Sequence, residues 1–332
     1  MVNVFRLNIL IGSILKSLSD KLYGVLILSP THEKITSMFQ TDMDESLKEN
    51  LEELMETKTV QESVNFESRK VGVYTFSTQY GRIIYSEAGA EALLVFLCPL
   101  EANVIEIFPY IFLCAEKVAR INTGKEVSMV IPEFALSSEI APEGEAQHMI
   151  HLEKGRFSMK VILGGDAFVG KTTLVENFVN DKLTDDYKST IGVNIMTKHM
   201  DFPMWDISVD FSIFDMGGQT IFKPVRNSYY AGAKAGFLVF DVTRRESFEN
   251  IKEWYEEATT AVPDITLILI GNKIDLINDR KISAEEGQAL AEKYGIKYIE
   301  TCALNKDIVD EAFRTLGFTF ILRHNPVKLR KE

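Results

Sequence analysis

Apolar residues follow a helical spacing at the start of the chain and a strand spacing soon after it. One apolar stripe recurs every three to four residues and ends near Ser19 and Asp20, which predicts a packed helix. An acidic helix is predicted over 44–57, between the second and third strands, and a last helix over 103–120 follows the fifth strand. The predicted strands cover 23–29, 35–40, 70–78, 82–86 and 92–98. The order α-β-β-α-β-β-β-α predicts an α+β domain in which helices cover a five-stranded antiparallel sheet.

This patterning stops between residues 121 and 156, where no period is sustained. Pro132, Pro142 and the small, acidic run 141–146 are typical of a linker, within which one short strand is predicted over 127–131. We therefore divide the chain into four segments: a domain over 1–120, a linker over 121–156, a domain over 157–323 and a short basic tail over 324–332.

Composition narrows the class of protein. A length of 332 residues favours two domains, and 46% hydrophobic with 25% charged residues is typical of a folded protein. The net charge of −12 argues against a nucleic-acid partner. Three scattered cysteines suggest neither a disulfide framework nor a zinc site, and the longest apolar run is too short to span a bilayer. We expect a cytoplasmic protein without a leader peptide, which reaches a membrane surface only through a partner.

The strongest chemical signal follows the apolar strand 159–164. The run from Gly165 to Thr172 has the form GxxxxGK[ST], and a helical run follows it. Glycines let the backbone wrap a phosphate, amide groups point inward, and the helix N-terminus adds positive potential. Lys171 would bridge the outer phosphates, and the hydroxyl of Thr172 would bind Mg²⁺. The predicted phosphate-binding residues are Gly165, Asp166, Ala167, Phe168, Val169, Gly170, Lys171, Thr172 and Thr173.

A second phosphate motif ends the alternating strand 209–214. Asp215 would lie at the carboxyl edge of a parallel sheet and hold a water on Mg²⁺. Gly218 would present its N–H to a γ-phosphate, and Gln219 would orient a water for in-line attack. Thr190, between the two motifs, is the candidate γ-phosphate sensor, with its hydroxyl on Mg²⁺. The predicted catalytic residues are Gln219, Lys171 and Thr190.

The choice of base depends on the Asn-Lys-Ile-Asp run at 272–275, which follows the buried strand 266–270. Asp275 can accept hydrogen bonds from N1–H and from the 2-amino group of guanine. Adenine offers neither donor there and would leave a desolvated charge unpaired. The predicted ligand is therefore a guanine nucleotide, GTP or GDP.

Neighbouring residues complete the predicted base site. Asn272 would brace the adjoining loops, and the stem of Lys273 would lie along the ring. The stretch containing Cys302 and Ala303 follows a strand over 296–300, where a backbone N–H could meet the guanine O6.

With these motifs in place, residues 157 to about 323 resemble a small GTPase of the Ras superfamily, and most closely its Rab branch. The motifs that carry the resemblance are 165–172, 189–193, 215–219, 228–233, 240–243 with 247–248, 272–275 and 301–303. The resemblance implies a mostly parallel six-stranded sheet with helices on both faces, GTP with Mg²⁺ as ligands, and slow hydrolysis. It also implies an exchange factor, an activating protein and effectors, bound through switch loops near 183–194 and 215–230.

The domain over 1–120 resembles a roadblock-type domain by element order alone, with the related longin type as the alternative. Roadblock domains are dimerisation and GTPase-regulating platforms, so the resemblance implies a homodimer or a roadblock partner bound through 1–120. No catalytic constellation is recognised in this domain. We interpret His32 as a surface-turn residue and the acidic helix as a solvated face.

Several positions depart from the pattern of the family. Ala167 and Phe168 stand where relatives carry small residues, often glycine, and Gly217 stands in place of the usual alanine. Leu183 occupies the place of an aromatic that packs on the base. The end of the chain offers no cysteine for prenylation, so no lipid anchor is expected.

These residues leave more than one function open. Thr190 and Gln219 favour a GTP-hydrolysing switch with a regulatory or dimerising N-terminal domain. Phe168 and Leu183 favour a guanine-nucleotide-regulated scaffold that barely hydrolyses. An ATP-using kinase or motor would require that the match at Asp275 be accidental.

Overall fold

The chain folds into two compact units. The computed structural model describes residues 3–57, 60–61, 72–134, 148–180, 193–202, 206–217, 228–325 and 327–331. The first unit combines Met1–Glu153 with Pro326–Glu332, and the second spans Lys154–Asn325. Within the described residues, no helix is both long enough and apolar enough to cross a bilayer.

The first unit is an antiparallel sheet with helices packed on it. Its helices are α1 (Val4–Ser17), α2 (Glu45–Glu56) and α3 (Val104–Asn122). Its strands are β1 (Gly24–Leu28), β2 (Lys34–Phe39), β3 (Val73–Thr78), β4 (Gly81–Glu87), β5 (Leu93–Cys98), β6 (His148–His151) and, last in the chain, β13 (Lys328–Lys331). The strands are ordered β13-β6-β3-β4-β5-β1-β2, and every neighbouring pair is antiparallel.

This sheet differs from the prediction in its strand number, which is seven rather than five. Strand β6 forms inside the predicted linker and β13 inside the predicted tail, whereas 127–131 forms no strand. A four-residue strand is too short to show an alternation of apolar and polar residues. Strand β6 is instead held by pairing with both of its neighbours, since Ile150 lies opposite Val73 of β3 and Leu329 of β13. The start of the predicted strand at residue 70 lies outside the described residues.

The second unit is an α/β sheet. Its strands are β7 (Gly155–Gly164), β8 (Val193–Phe202), β9 (Ile207–Met216), β10 (Ala235–Asp241), β11 (Thr266–Asn272) and β12 (Lys297–Thr301). Its helices are α4 (Lys171–Val179), α5 (Arg245–Glu249), α6 (Ile251–Ala261), α7 (Ala284–Tyr294) and α8 (Lys306–His324). The order is β12-β11-β10-β7-β9-β8, and only β8 runs antiparallel to its neighbour. The mostly parallel six-stranded sheet implied by the family resemblance is therefore present.

Helices cover both faces of this sheet because successive residues of its buried strands point in opposite directions. On β10, Leu238 packs in one cluster with Trp254 of α6. Its neighbour Phe237 meets Phe313 of α8 edge-on at 4.9 Å between ring centroids. Phe313 in turn stacks on Phe178 of α4 at 3.8 Å. Strand β10 is accordingly buried along its whole length.

Side chains at the helix starts explain where several helices begin. Asp44 accepts a hydrogen bond from the backbone of Leu47 at the start of α2, and Asn305 does the same for the start of α8. Ser283 and Glu286 form a reciprocal capping box at the start of α7. The helix that follows the phosphate motif is different, because Gly170 stands at its N-cap and no side chain caps the helix start there.

Candidate functional site

The carboxyl ends of the parallel strands bring the predicted ligand groups to one edge of the sheet. Strand β7 ends at the phosphate motif, and Asp215, Asp241, Asn272 and Thr301 stand at or next to the ends of β9, β10, β11 and β12. All four side chains are buried, three of them completely. Polar groups are costly to bury, so their concentration at this edge marks it as the place where a ligand is bound.

The phosphate motif makes a tight loop at this edge. Gly165 has φ +141° and Gly170 has φ +98°, conformations that favour glycine. A Cβ on Gly165 would lie 2.2 Å from the carbonyl oxygen of Val239, and one on Gly170 would lie 2.3 Å from Nδ2 of Asn272. The two glycines therefore let the loop approach both β10 and the start of the base motif.

Lys171 lies across this loop and not in solvent. Its side chain is only 5% exposed, and Nζ donates to the carbonyl oxygens of Gly165 at 2.7 Å and Asp166 at 2.8 Å. The loop thus encloses a fixed cation at the N-terminus of α4. Such a centre suits a phosphate group, which gains both the ammonium charge and the amide groups of the loop.

Thr172 and Asp215 form the oxygen pair predicted to hold a metal ion. The Thr172 hydroxyl donates to Oδ2 of Asp215 at 2.6 Å, which joins the start of α4 to the end of β9. A hydroxyl and a carboxylate are ligands that Mg²⁺ prefers. The residues present therefore fit a magnesium ion at this position.

Asn272 ties the phosphate loop to the base site through three hydrogen bonds. Its Nδ2 donates to the carbonyl of Val169 at 2.8 Å. Its Oδ1 accepts from the Thr301 hydroxyl and from the Ala303 backbone N–H, both at 3.0 Å. The expected bracing of neighbouring loops takes this form. Ala303 belongs to the stretch that was predicted to offer a backbone N–H to guanine O6, and its own N–H donates to Asn272.

Lys273 is held at the end of the neighbouring strand. Its Nζ lies 2.7 Å from Oδ2 of Asp241, and its backbone has φ +68°. Burial opposes the charge of Asp241, but hydrogen bonds from Lys273 and Thr243 outweigh it and lower the pKa of the carboxyl. This ion pair fixes the direction of the lysine stem beside the base motif.

Asp275, the residue predicted to select the base, is exposed. Cys302 supports it from the next loop. Burial and a hydrogen bond to Asp275 together raise the pKa of the Cys302 thiol.

Three predicted residues cannot be placed in this site. Thr190, Gly218 and Gln219 lie outside the described residues, as does Leu183.

Comparison with known proteins matches the second unit. A model of the Ras family matches residues 160–321. Ras-related protein RGP2 of Oryza sativa subsp. japonica is 38% identical over 161 residues, which cover 48% of this chain and 73% of that protein. The chain belongs to the Ras family. Ras-related protein RABA4b of Arabidopsis thaliana is 40% identical over 48% of this chain and 71% of its own length. Ras-related protein Rab-1D of Dictyostelium discoideum is 38% identical over 48% of this chain and 78% of its own length.

These relatives make the second unit a Rab-like small GTPase, as the sequence motifs indicated. Ras-family GTPases are switches that bind guanine nucleotide, typically with Mg²⁺, and this GTPase shares that general activity. The matched residues all lie in the second unit of the GTPase.

Sequence reasoning missed the side chains that anchor the phosphate loop of the GTPase from behind. The Asp166 carboxylate accepts from Asn250 at 2.8 Å and from the Trp254 indole at 3.0 Å. Arg244 donates to the carbonyl of Ala167 at 3.0 Å. No motif marks these anchors, because each is a single residue in or beside the first turn of a helix. The Asp166 side chain is therefore bound within the protein, and only its backbone is left for the predicted contact with a phosphate.

Proposed function

We propose that this chain is a molecular switch whose second unit binds GTP with Mg²⁺ and slowly hydrolyses it to GDP. The observation that carries the proposal is the set of hydrogen bonds made by Asn272, which join the phosphate loop to the loop at 301–303. A phosphate site and a base site held this closely together suit one nucleotide and not two separate ligands.

The phosphate end of the nucleotide is assigned to α4 and the loop before it. Lys171 and the loop amides would hold the phosphates, and Thr172 would bind Mg²⁺ directly while Asp215 holds it through a water. The bound ion would neutralise charge on the phosphate oxygens. Thr190 would sense the γ-phosphate with Gly218, and Gln219 would orient the attacking water.

The base end is assigned to 272–275 and 301–303. Asp275 would accept from both guanine donors, and the Cys302 thiol would keep the carboxylate in position. Lys273, fixed by Asp241, would lay its stem along the ring. A site built to accept two hydrogen bonds discriminates strongly against a base that cannot donate them.

The test is phosphate release from the full chain loaded with GTP and Mg²⁺. We expect slow release by the wild type and slower release by Gln219→Leu, which loses the water-orienting amide. Equal and near-zero rates in both would contradict a hydrolysing switch. That outcome, with nucleotide still bound, would support the guanine-nucleotide-regulated scaffold, which the exposed Phe168 in the phosphate loop favours.

We also propose that the first unit is a regulatory or dimerising domain of the roadblock or longin type. Its element order over Val4–Asn122 supports this, since it is the α-β-β-α-β-β-β-α of the expected pattern. An exchange factor, an activating protein and effectors would bind the switch loops near 183–194 and 215–230. The protein would act in the cytoplasm. Light scattering on the full chain tests the dimer, and a monomer at all concentrations would contradict it.

A further inference from the structure

Phe168 combines two unfavourable features in the phosphate loop. Its backbone has φ +65°, a left-handed conformation that is an outlier for a bulky residue. Its side chain is 71% exposed, which leaves a large apolar surface in water. The other described non-glycine residues with positive φ are all polar: His32, Asp206 and Lys273. Glycine at position 168 would avoid both costs.

The loop is fixed on both sides of this residue. Before it, the carbonyl of Ala167 accepts from Arg244 at 3.0 Å. After it, Val169 is completely buried and its carbonyl accepts from Asn272 at 2.8 Å. The backbone of Phe168 is therefore held in its strained conformation by neighbours, and the ring extends from a rigid support into solvent.

The position of Phe168 along the loop relates it to both ends of the proposed ligand. Nζ of Lys171, which marks the phosphate end, is held at the carbonyls of Gly165 and Asp166 before Phe168. Asn272, which begins the base motif, is bonded to Val169 after it. A nucleotide is one continuous molecule, so its sugar must pass between these two groups. The ring stands on the segment of loop that links them.

We propose that Phe168 is a ligand-contacting residue whose ring packs against the sugar side of the bound guanine nucleotide and slows its release. This inference rests on the proposed function, because it requires the nucleotide to bind at this loop. Contact with the ligand buries apolar surface that is otherwise in water, and this gain compensates for the two unfavourable features. The anchors at Ala167 and Val169 limit the entropy lost when the ring is covered.

The experiment measures the release of tritiated GDP from the full chain after addition of excess unlabelled GDP and Mg²⁺. A label on the base hydrogen leaves the sugar unmodified. Phe168→Ala removes the ring, and Phe168→Gly removes the ring and also relieves the backbone. Phe5→Ala is the matched control, since Phe5 is 74% exposed and lies in the first unit. We expect release to accelerate about tenfold in both Phe168 variants, which corresponds to about 1.4 kcal/mol, and to stay unchanged in Phe5→Ala.

Release that is unchanged or slower in Phe168→Ala, with wild-type GDP binding intact, overturns the inference and leaves the proposed function standing. A wild type that binds no GDP contradicts the proposed function itself. Phe168→Gly serves as the control for misfolding, because glycine readily adopts φ +65°. Its thermal midpoint without nucleotide should be at least that of the wild type. If this variant is stable but releases GDP at the wild-type rate, the ring makes no contact with the ligand.

Discussion

Buried polar side chains distinguish the two units more clearly than their folds do. In the second unit several of them gather at one edge of the sheet and bond to one another, as Thr172 does with Asp215 and Lys273 with Asp241. In the first unit, Oγ1 of Thr75 and both Nε and Nη1 of Arg82 are buried with no hydrogen-bond partner in the described part of the chain.

This difference shows how a buried polar group should be interpreted. Polar side chains that hydrogen-bond to one another at the carboxyl ends of parallel strands are already oriented before a ligand binds. Isolated polar groups on a sheet face cost free energy and orient nothing. The binding site therefore belongs to the second unit, although both units bury many apolar side chains.

The largest effect is expected when Asn272 is removed, because its side chain joins the phosphate loop to the loop at 301–303. Asn272→Ala leaves the Val169 carbonyl and the Ala303 N–H without their partner, so we expect the second unit to lose about 3 kcal/mol of unfolding free energy. Urea denaturation followed in both units measures this. Asn194→Ala, at an exposed position of β8, is the control and should have little effect. An equal loss in both variants would contradict the bracing role.

A second test removes charge and leaves the fold. Lys171→Met keeps the aliphatic stem but removes the enclosed ammonium, so we expect affinity for GDP and Mg²⁺ to fall about 100-fold. Calorimetric titration of the full chain measures the affinity. Lys154→Met removes an exposed lysine paired with Asp206 and should bind as the wild type does. Comparable losses in both would mean that the effect is one of net charge.

In the first unit, removal of a buried polar side chain should not lower the free energy of unfolding. Arg82 is only 6% exposed, and burial lowers the pKa of its guanidinium. Arg82→Met replaces this poorly satisfied cation with an apolar side chain, so we expect stability to stay the same or to rise by about 1 kcal/mol. The urea midpoint of the first unit measures it. A marked loss of stability would show that the guanidinium has an essential partner.

The smallest effect is expected at the other end of the second sheet, where the charges are exposed. A hydrogen bond to Asp210 raises the pKa of His199 from 6.5, and bonds from Arg156 and then His199 lower the pKa of Asp210 from 3.8 to about 2. The contribution of protonated His199 to folding stability is full below pH 6.5 and is lost as the pH rises through the raised pKa of the histidine. The Asp210 contribution is present above pH 3.8 and is lost as the pH falls towards 2.

We therefore expect this region to be most stable between about pH 4 and 6.5. His199→Gln should abolish the slight loss of stability above pH 6.5. Urea midpoints of the two proteins at pH 5.5 and 8 provide the measurement. If the variant shows the same pH dependence as the wild type, the loss of stability above pH 6.5 comes from titratable groups other than His199.

Much of the second unit could be predicted because its motifs combine a chemical requirement with a fixed local structure. Gly165 and Gly170 are needed by backbone geometry, and Asn272 begins the base motif at the end of a buried strand. The anchors of the phosphate loop could not be predicted in this way. Asn250 and Trp254 meet Asp166 from a distant part of the sequence, and only the packing of α6 brings them there.

The first unit shows the same limit at the level of strands. Strands β1 to β5 match the predicted segments to within a few residues because each has enough apolar residues to show a pattern. Strands β6 and β13 have four residues each, and they are ordered by pairing with strands far away in sequence. Partners that the chain meets only after folding leave no local signal.

The most direct test of the account is the affinity of the full chain for GDP and for ADP, each with Mg²⁺, measured by calorimetric titration. The central claim is that Asp275 selects guanine at the edge where the phosphate loop and the base loop are joined. We expect GDP to bind at least about 100-fold more tightly than ADP, because adenine leaves the carboxylate without donors. Equal affinities, or tighter binding of ADP, would contradict the account.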